Sequence, residues 1–219
     1  MNIISAKDIK HDRITALIYG TPGTGKTTLL GCLQGRTLIV DVDKGSSVLA
    51  GKDNIDILSV DGNSRLLYEV PQQFKQTCPY DNIAIDTVSE LERTMLSNLA
   101  ARNNNGLPTL QDYGNVNHFM LDLCRQFRNI NANIFFTAWE QYTEVTSPTG
   151  ETYSRIEPLI RQKNMENICG LCDIIGRIYY DKDTNSRRVW LEGRPHIVAR
   201  DRIFKRSSCS FEEVVNNEH

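Results

Sequence analysis

The densest chemistry in the chain lies in eight consecutive residues. Gly20-Thr21-Pro22-Gly23-Thr24-Gly25-Lys26-Thr27 fill every fixed position of the pattern G-x-x-x-x-G-K-[ST]. A polyphosphate carries several negative charges and has to be held without blocking its reacting end. Glycines let successive backbone N–H groups turn inward and approach the phosphates. A following helix points its positive end at the same place. In that arrangement Lys26 reaches the β- and γ-phosphates and the Thr27 hydroxyl binds Mg²⁺. The alternative, a plain glycine-rich turn, is disfavoured by the flanks. Ile14 and residues 16–19 form a short apolar run suited to a buried strand, and residues 27–34 have helix-forming character up to Gly35. The candidate nucleotide contacts are therefore Gly20, Thr21, Pro22, Gly23, Thr24, Gly25, Lys26, Thr27 and Thr28, with Lys26 also a catalytic candidate.

Two acids add to this. The apolar run at residues 37–42 ends in Asp43-Lys44-Gly45-Ser46, so its carboxylate falls at a strand's C-terminal end, the edge that carries ligands in doubly wound sheets. Asp43 is either a group that polarises an attacking water or a solvated loop acid. Residues 80–87 form a second apolar strand ending in Asp86-Thr87. About 55 residues after a complete phosphate loop, such an aspartate fits the second nucleotide motif and holds Mg²⁺ together with Thr27. The competing role for Asp86 is that of a helix cap.

The elements that must position these groups alternate between strand and helix. Residues 55–60 read as a strand, with a sheet edge as its candidate place, and residues 66–74 as weakly helical around Pro71. Residues 89–102 and 115–129 read as helices, and 132–138 as a strand. In the second helix Val116, Phe119, Met120, Leu123, Cys124 and Phe127 recur on one face, which makes that face core and leaves His118 facing solvent. Thr137, Trp139, Glu140 and Gln141 lie at a strand end where a γ-phosphate sensor would sit. Residues 140–161 read as a long polar loop around Ser147-Pro148-Thr149-Gly150, of the kind that is functional or mobile. Residues 173–180 and 187–191 carry a hairpin signal. The region 182–206 is rich in Lys and Arg, and the acidic tail 211–219 is expected to fray. The expected fold is α/β, a mostly parallel doubly wound sheet with helices on both faces and a C-terminal β-hairpin extension. One domain over residues 1–219 is expected, with its core at 14–203 and a tail at 204–219.

Bulk composition bounds the partners. A net charge of −2 gives no global attraction to nucleic acid or membrane surfaces, so any DNA contact must be local. No apolar run approaches the roughly 20 residues of a membrane span. The first twelve residues turn charged after five, unlike a signal peptide. The six cysteines are scattered, as expected of reduced thiols in a cytoplasm. Cys169 and Cys172 form a single C-x-x-C, read as buried thiols, with metal or redox chemistry as the alternative.

The guanine-reading N-K-x-D pattern is absent, which argues against a GTPase. IAIDTVSEL resembles the strand–Asp-Ser/Thr–helix segment of RecA-like ATPases, and LIVDVDKGS resembles the segment carrying their catalytic glutamate, with the shorter Asp43 in its place. The order YGTPGTGKTTL, VDVDKG, IDTVSEL, ANIFFTAWE, CDIIGRIYY, VARDR is similar to a family of small phage-encoded RecA-like P-loop ATPases. The likeness spans residues 16–203. It implies ATP and Mg²⁺ as ligands, ATP hydrolysis, assembly into a homo-oligomeric ring or filament, and action on single-stranded DNA in phage recombination, replication or single-strand annealing. A single-strand binding protein is a possible companion, and the host cytoplasm the location. It also implies that Arg200 and Arg202 reach a neighbouring subunit's nucleotide; ordinary surface arginines are the alternative. The competing functions are an ATP-gated single-strand DNA-binding or annealing module with little turnover, and a small-molecule kinase.

Overall fold

The computed structural model describes residue 5 and residues 13–61, 63 and 65–215. The charged start of the chain, apart from residue 5, and residues 216–219 of the tail lie outside the described residues. Six strands run parallel in the order β7-β1-β5-β4-β2-β3: β1 (Thr15–Gly20), β2 (Thr37–Asp41), β3 (Ile55–Ser59), β4 (Asn82–Asp86), β5 (Asn133–Thr146) and β7 (Ile174–Asp181). The sheet is extended by antiparallel β8 (Ser186–Trp190) and β10 (Ser208–Cys209), while β9 (Arg200–Asp201) pairs with the start of β7. This is the expected α/β sheet of mostly parallel strands, with β7–β8 as its C-terminal hairpin and β3 on its edge.

Strand side chains alternate between faces, and the alternation sorts the core in two. Leu17, Tyr19, Val40, Ile83, Ile85 and Phe136 pack beneath helices α2 (Arg65–Gln73), α3 (Val88–Ala100), α4 (Leu110–Arg128) and α5 (Gln162–Leu171). Ala16, Ile18, Ile39, Ala84 and Phe135 face the short helix α1 (Lys26–Leu30), a 3₁₀ turn at Ser46–Leu49 and the C-terminal segment. His118 is exposed, off the buried stripe of α4.

Three expectations are corrected. The polar stretch 140–161 is not a loop. β5 continues to Thr146 and returns as β6 (Thr152–Pro158), paired antiparallel from Glu140↔Pro158 to Thr146↔Thr152. The ladder stands on a fully buried Glu157, which accepts from Gln141, Thr143 and Arg155 and so replaces apolar packing with charge-assisted hydrogen bonds. Helix α4 starts five residues earlier than residue 115, because Thr109 and Asp112 form a capping box that begins the helix before Gly114. The tail does not fray over its described part. Phe211 and Val214 are buried against α1, and Arg206 donates to the carbonyls of Glu213 and Val214.

Arg200 belongs to this framework. Its guanidinium donates to the carbonyl oxygens of Cys169 and Cys172 (2.6 Å to the latter) at the C-terminal end of α5. The Cys172 carbonyl lies past the helix end, and the Cys169 carbonyl otherwise accepts only a long 3.3 Å bond from Cys172 N. Arg200→Ala should therefore destabilise the chain by about 1.5–3 kcal/mol, the worth of hydrogen bonds from a charged donor, and urea denaturation of the nucleotide-free protein measures it.

Candidate nucleotide site

The phosphate loop leaves the buried end of β1 and enters α1 through two left-handed glycines, Gly23 at φ 79° and Gly25 at φ 99°. A Cβ at Gly23 would meet nothing within 4 Å, so the loop faces open space there. Lys26 is buried, and its Nζ donates to the carbonyls of Gly20 (3.0 Å) and Thr21 (3.1 Å). Burial holds its pKa below the ordinary lysine value against the pull of Asp86, Asp43 and Glu140.

Parallel strands bring the partners to the same edge. Asp86 ends β4 beside Asp41 of β2, and its carboxylate is fully buried. Thr27 Oγ1 donates to Asp86 Oδ2 at 2.6 Å, and Thr137 Oγ1 on β5 donates to Oδ1. Burial raises the Asp86 pKa above the usual carboxylate range, opposed by both hydroxyl bonds and by Lys26. Asp43 follows β2 in a turn where its Oδ1 accepts from Gly45 N at 3.0 Å. A Cβ on Gly45 would come 2.8 Å from that oxygen and 3.7 Å from Thr27 Oγ1, so the turn packs against the Thr27 hydroxyl. Burial, then the charge of Asp86, raises the Asp43 pKa.

These groups line one cavity of about 480 Å³. Pro22, Gly23, Gly25, Lys26, Thr27 and Thr28 form its floor, and Asp43, Asp86 and Trp139 stand around it. Gly20, Thr21 and Thr24 shape the loop without lining the cavity, through the Lys26 bonds and the Thr24 Oγ1 to Thr21 carbonyl bond (2.8 Å). The donor set fits a Mg-nucleotide: backbone amides on open glycines, one ammonium, and a hydroxyl against a buried carboxylate. Arg200 and Arg202 are not brought here. They sit beside the N-terminal end of β7, whereas the phosphate loop follows the C-terminal end of β1, which runs parallel to β7. Glu140 and Gln141 also turn away, to Arg177 (2.7 Å) and Glu157.

Two lining residues carried no local signal in the sequence. Val48 comes from the 3₁₀ turn, and Arg187 comes from β8, whose position over the loop depends on the hairpin folding back. Ser89 was missed as well: its Oγ accepts from Trp139 N (2.9 Å) and donates to the Leu159 carbonyl (2.8 Å), joining α3 to the base of the β5–β6 hairpin. Trp139 is shared with a second cavity of about 560 Å³, lined by Glu92, Arg93, Leu96, Leu159, Ile160 and Arg161 among others.

A glycine loop between a parallel strand and a helix, with its threonine bonded to the acid of a neighbouring strand end, defines a P-loop nucleotide-binding domain. The family model of an AAA domain, AAA_24, matches residues 12–203, and the chain belongs to that family. Its members are generally ATPases, which makes this a nucleotide-binding domain of ATPase type. No curated protein matches the chain. Among the described residues no helix is long and apolar enough to cross a membrane. The described structure has no disulfide: Cys169 and Cys172 are buried free thiols whose pKa values burial raises, that of Cys169 to about 11.

The raised pKa of Asp86 fixes a sign. Its ionised form is the one the fold disfavours, so ionisation costs stability above the raised value and costs nothing below the ordinary aspartate value near 3.9. Without metal, Asp86→Asn should raise the thermal midpoint at neutral pH. The gain should vanish as pH falls from the raised value to the ordinary one, as followed by calorimetry across pH.

Proposed function

We propose that the chain is a Mg²⁺-dependent ATPase of RecA-like type. The observation that carries the reading is the 2.6 Å hydrogen bond from Thr27 to the buried Asp86 within the glycine-loop cavity. It sets a hydroxyl and a carboxylate side by side where the metal of a nucleotide triphosphate belongs. Loop amides and Lys26 hold the phosphates. Thr27 and Asp86 would hold Mg²⁺, which would supply charge neutralisation to the phosphates. Asp43 orients the attacking water, and its raised pKa makes it a better proton acceptor than a solvated aspartate. Catalysis of this kind is mostly positioning and charge stabilisation. Hydrolysis should require Mg²⁺ and disappear in Lys26→Ala. Asp43→Asn should retain ATP binding and lower turnover by about 10²-fold or more. Unchanged turnover in a steady-state assay of Asp43→Asn would return that residue to a solvated loop acid.

The partner we propose for this ATPase is single-stranded DNA. The β5–β6 hairpin is a poor phosphate surface, since Arg155 is already paired with the buried Glu157 while Glu144 and Glu151 are exposed. The second cavity suits single strands better, with Arg93 and Arg161 beside Trp139 and an apolar wall, the combination of cation and stacking platform that single-strand binding uses. Arg93→Ala with Arg161→Ala should weaken binding of a labelled oligonucleotide and flatten its salt dependence, measured by anisotropy. In a homo-oligomer, Arg202, which is exposed, is the better placed of the two arginines to reach a neighbour, because Arg200 is engaged with α5. The phage recombination setting is part of this proposal and rests on motif resemblance. An ATP-gated module with little turnover is the second reading, favoured by the engagement of the short Asp43 with Gly45.

A further inference from the structure

Arg187 stands in the phosphate cavity of its own chain with no role assigned by any motif. β8 pairs antiparallel with β7, and Arg187 lies opposite Tyr180. Side chains alternate along the strand. Val189, two residues on, is fully buried in the core layer that contains α1, so Arg187 falls on the face turned to α1 and the phosphate loop. The contact is close: a Cβ added to Gly25 would lie 2.9 Å from Arg187 Nη1 and 3.3 Å from its Cδ. Phe211 walls the other side, with Cε2 at 3.5 Å from the same point. Gly25 is required by its positive φ, and the arginine side chain lies across it.

The charges in the cavity point the same way. Its lining holds two carboxylates, Asp43 and Asp86, and two cations, Lys26 and Arg187. Lys26 is already bonded to the Gly20 and Thr21 carbonyls. Among the described residues Arg187 makes no hydrogen bond or ion pair with the protein, whereas the adjacent Arg188 donates to Ser208 (3.4 Å) and approaches Asp181 (3.9 Å). An unpaired guanidinium with its donors over an anion-binding loop is built for phosphate, which it can hold bidentately.

Resting on the nucleotide reading above, we infer that Arg187 clamps the α- and β-phosphates of the bound nucleotide in cis. Loop amides cradle the α/β-phosphates, whereas the lysine tip and the metal hydroxyl serve the β/γ end. Arg187 crosses the loop at Gly25, while Thr27, Asp43 and Asp86 are gathered on the metal side. A contact centred on the α-phosphate side, away from the transferred γ-phosphoryl group, changes little between the ground state and the transition state. It therefore acts on affinity and leaves the chemical step alone.

The test uses the full chain with a fluorescent ADP analogue, ATP with EDTA, and steady-state hydrolysis. Arg187→Ala should keep the nucleotide-free thermal midpoint of the wild type, because the side chain is exposed and unpaired. It should weaken ADP and ATP by a similar factor of about 10–100, the span of one charged hydrogen-bonding contact, and raise KM with kcat held. Arg187→Lys should recover part of the affinity, since charge remains and the fork is lost. Arg188→Ala should bind as wild type. Unchanged ADP affinity in Arg187→Ala overturns the inference. Weakened ATP with unchanged ADP and a lowered kcat also overturns it, moving Arg187 to the γ-phosphate. A wild-type chain that binds neither nucleotide overturns the nucleotide reading itself.

Discussion

A buried carboxylate at the end of a central strand is the constraint from which the site follows. Asp86 cannot be ionised there without donors, and the two it has are hydroxyls from different strand–loop units, Thr27 at the start of α1 and Thr137 on β5. Satisfying one acid therefore fixes the relative positions of the phosphate loop, β4 and β5. The raised pKa is the residual cost of that burial, and two hydroxyl donors offset it only in part. A cation at this point would offset that cost, so a nucleotide-bound metal would relieve this buried charge.

Around this point the molecule is asymmetric. Four helices cover one face of the sheet, while the face that carries the phosphate loop is covered by a five-residue helix, a 3₁₀ turn and the returning C-terminal segment. The lighter cover leaves the nucleotide cavity open. The C-terminal segment compensates through Phe211, Val214 and the Arg206–Asp201 ion pair, whose carboxylate is fully buried. The tail is thus part of the nucleotide-side core.

What could be read from the sequence was what is encoded locally. The glycine spacing, the strand-end Asp86 and Asp43, and the apolar stripe of α4 each depend on residues within a few positions of one another; the loop and both acids line one cavity, and the stripe faces the core. Arg187 was illegible because its position over Gly25 depends on a hairpin packing back onto α1, a non-local event. The β5–β6 hairpin was illegible for another reason. Strand patterns are read from apolar alternation, and this ladder is held at its base by a buried glutamate and its polar donors. The first turn of α4 was hidden by Gly114, although Thr109 and Asp112 spell the capping box. The buried part of the tail was masked by the acids around Phe211 and Val214.

β5 is one uninterrupted element of two characters. Its first half is locked between β1 and β4, and its second half leaves the sheet with only β6 for company. Thr137, bonded to Asp86, sits just before the change. Nine residues further on, Thr146 opens the hairpin tip, roughly 30 Å away at ordinary strand rise. Over that length a tilt of about 5° at the base of the ribbon would carry its tip through about 2.6 Å. The hydroxyl on the buried Asp86 and the tip of the hairpin thus belong to one continuous strand.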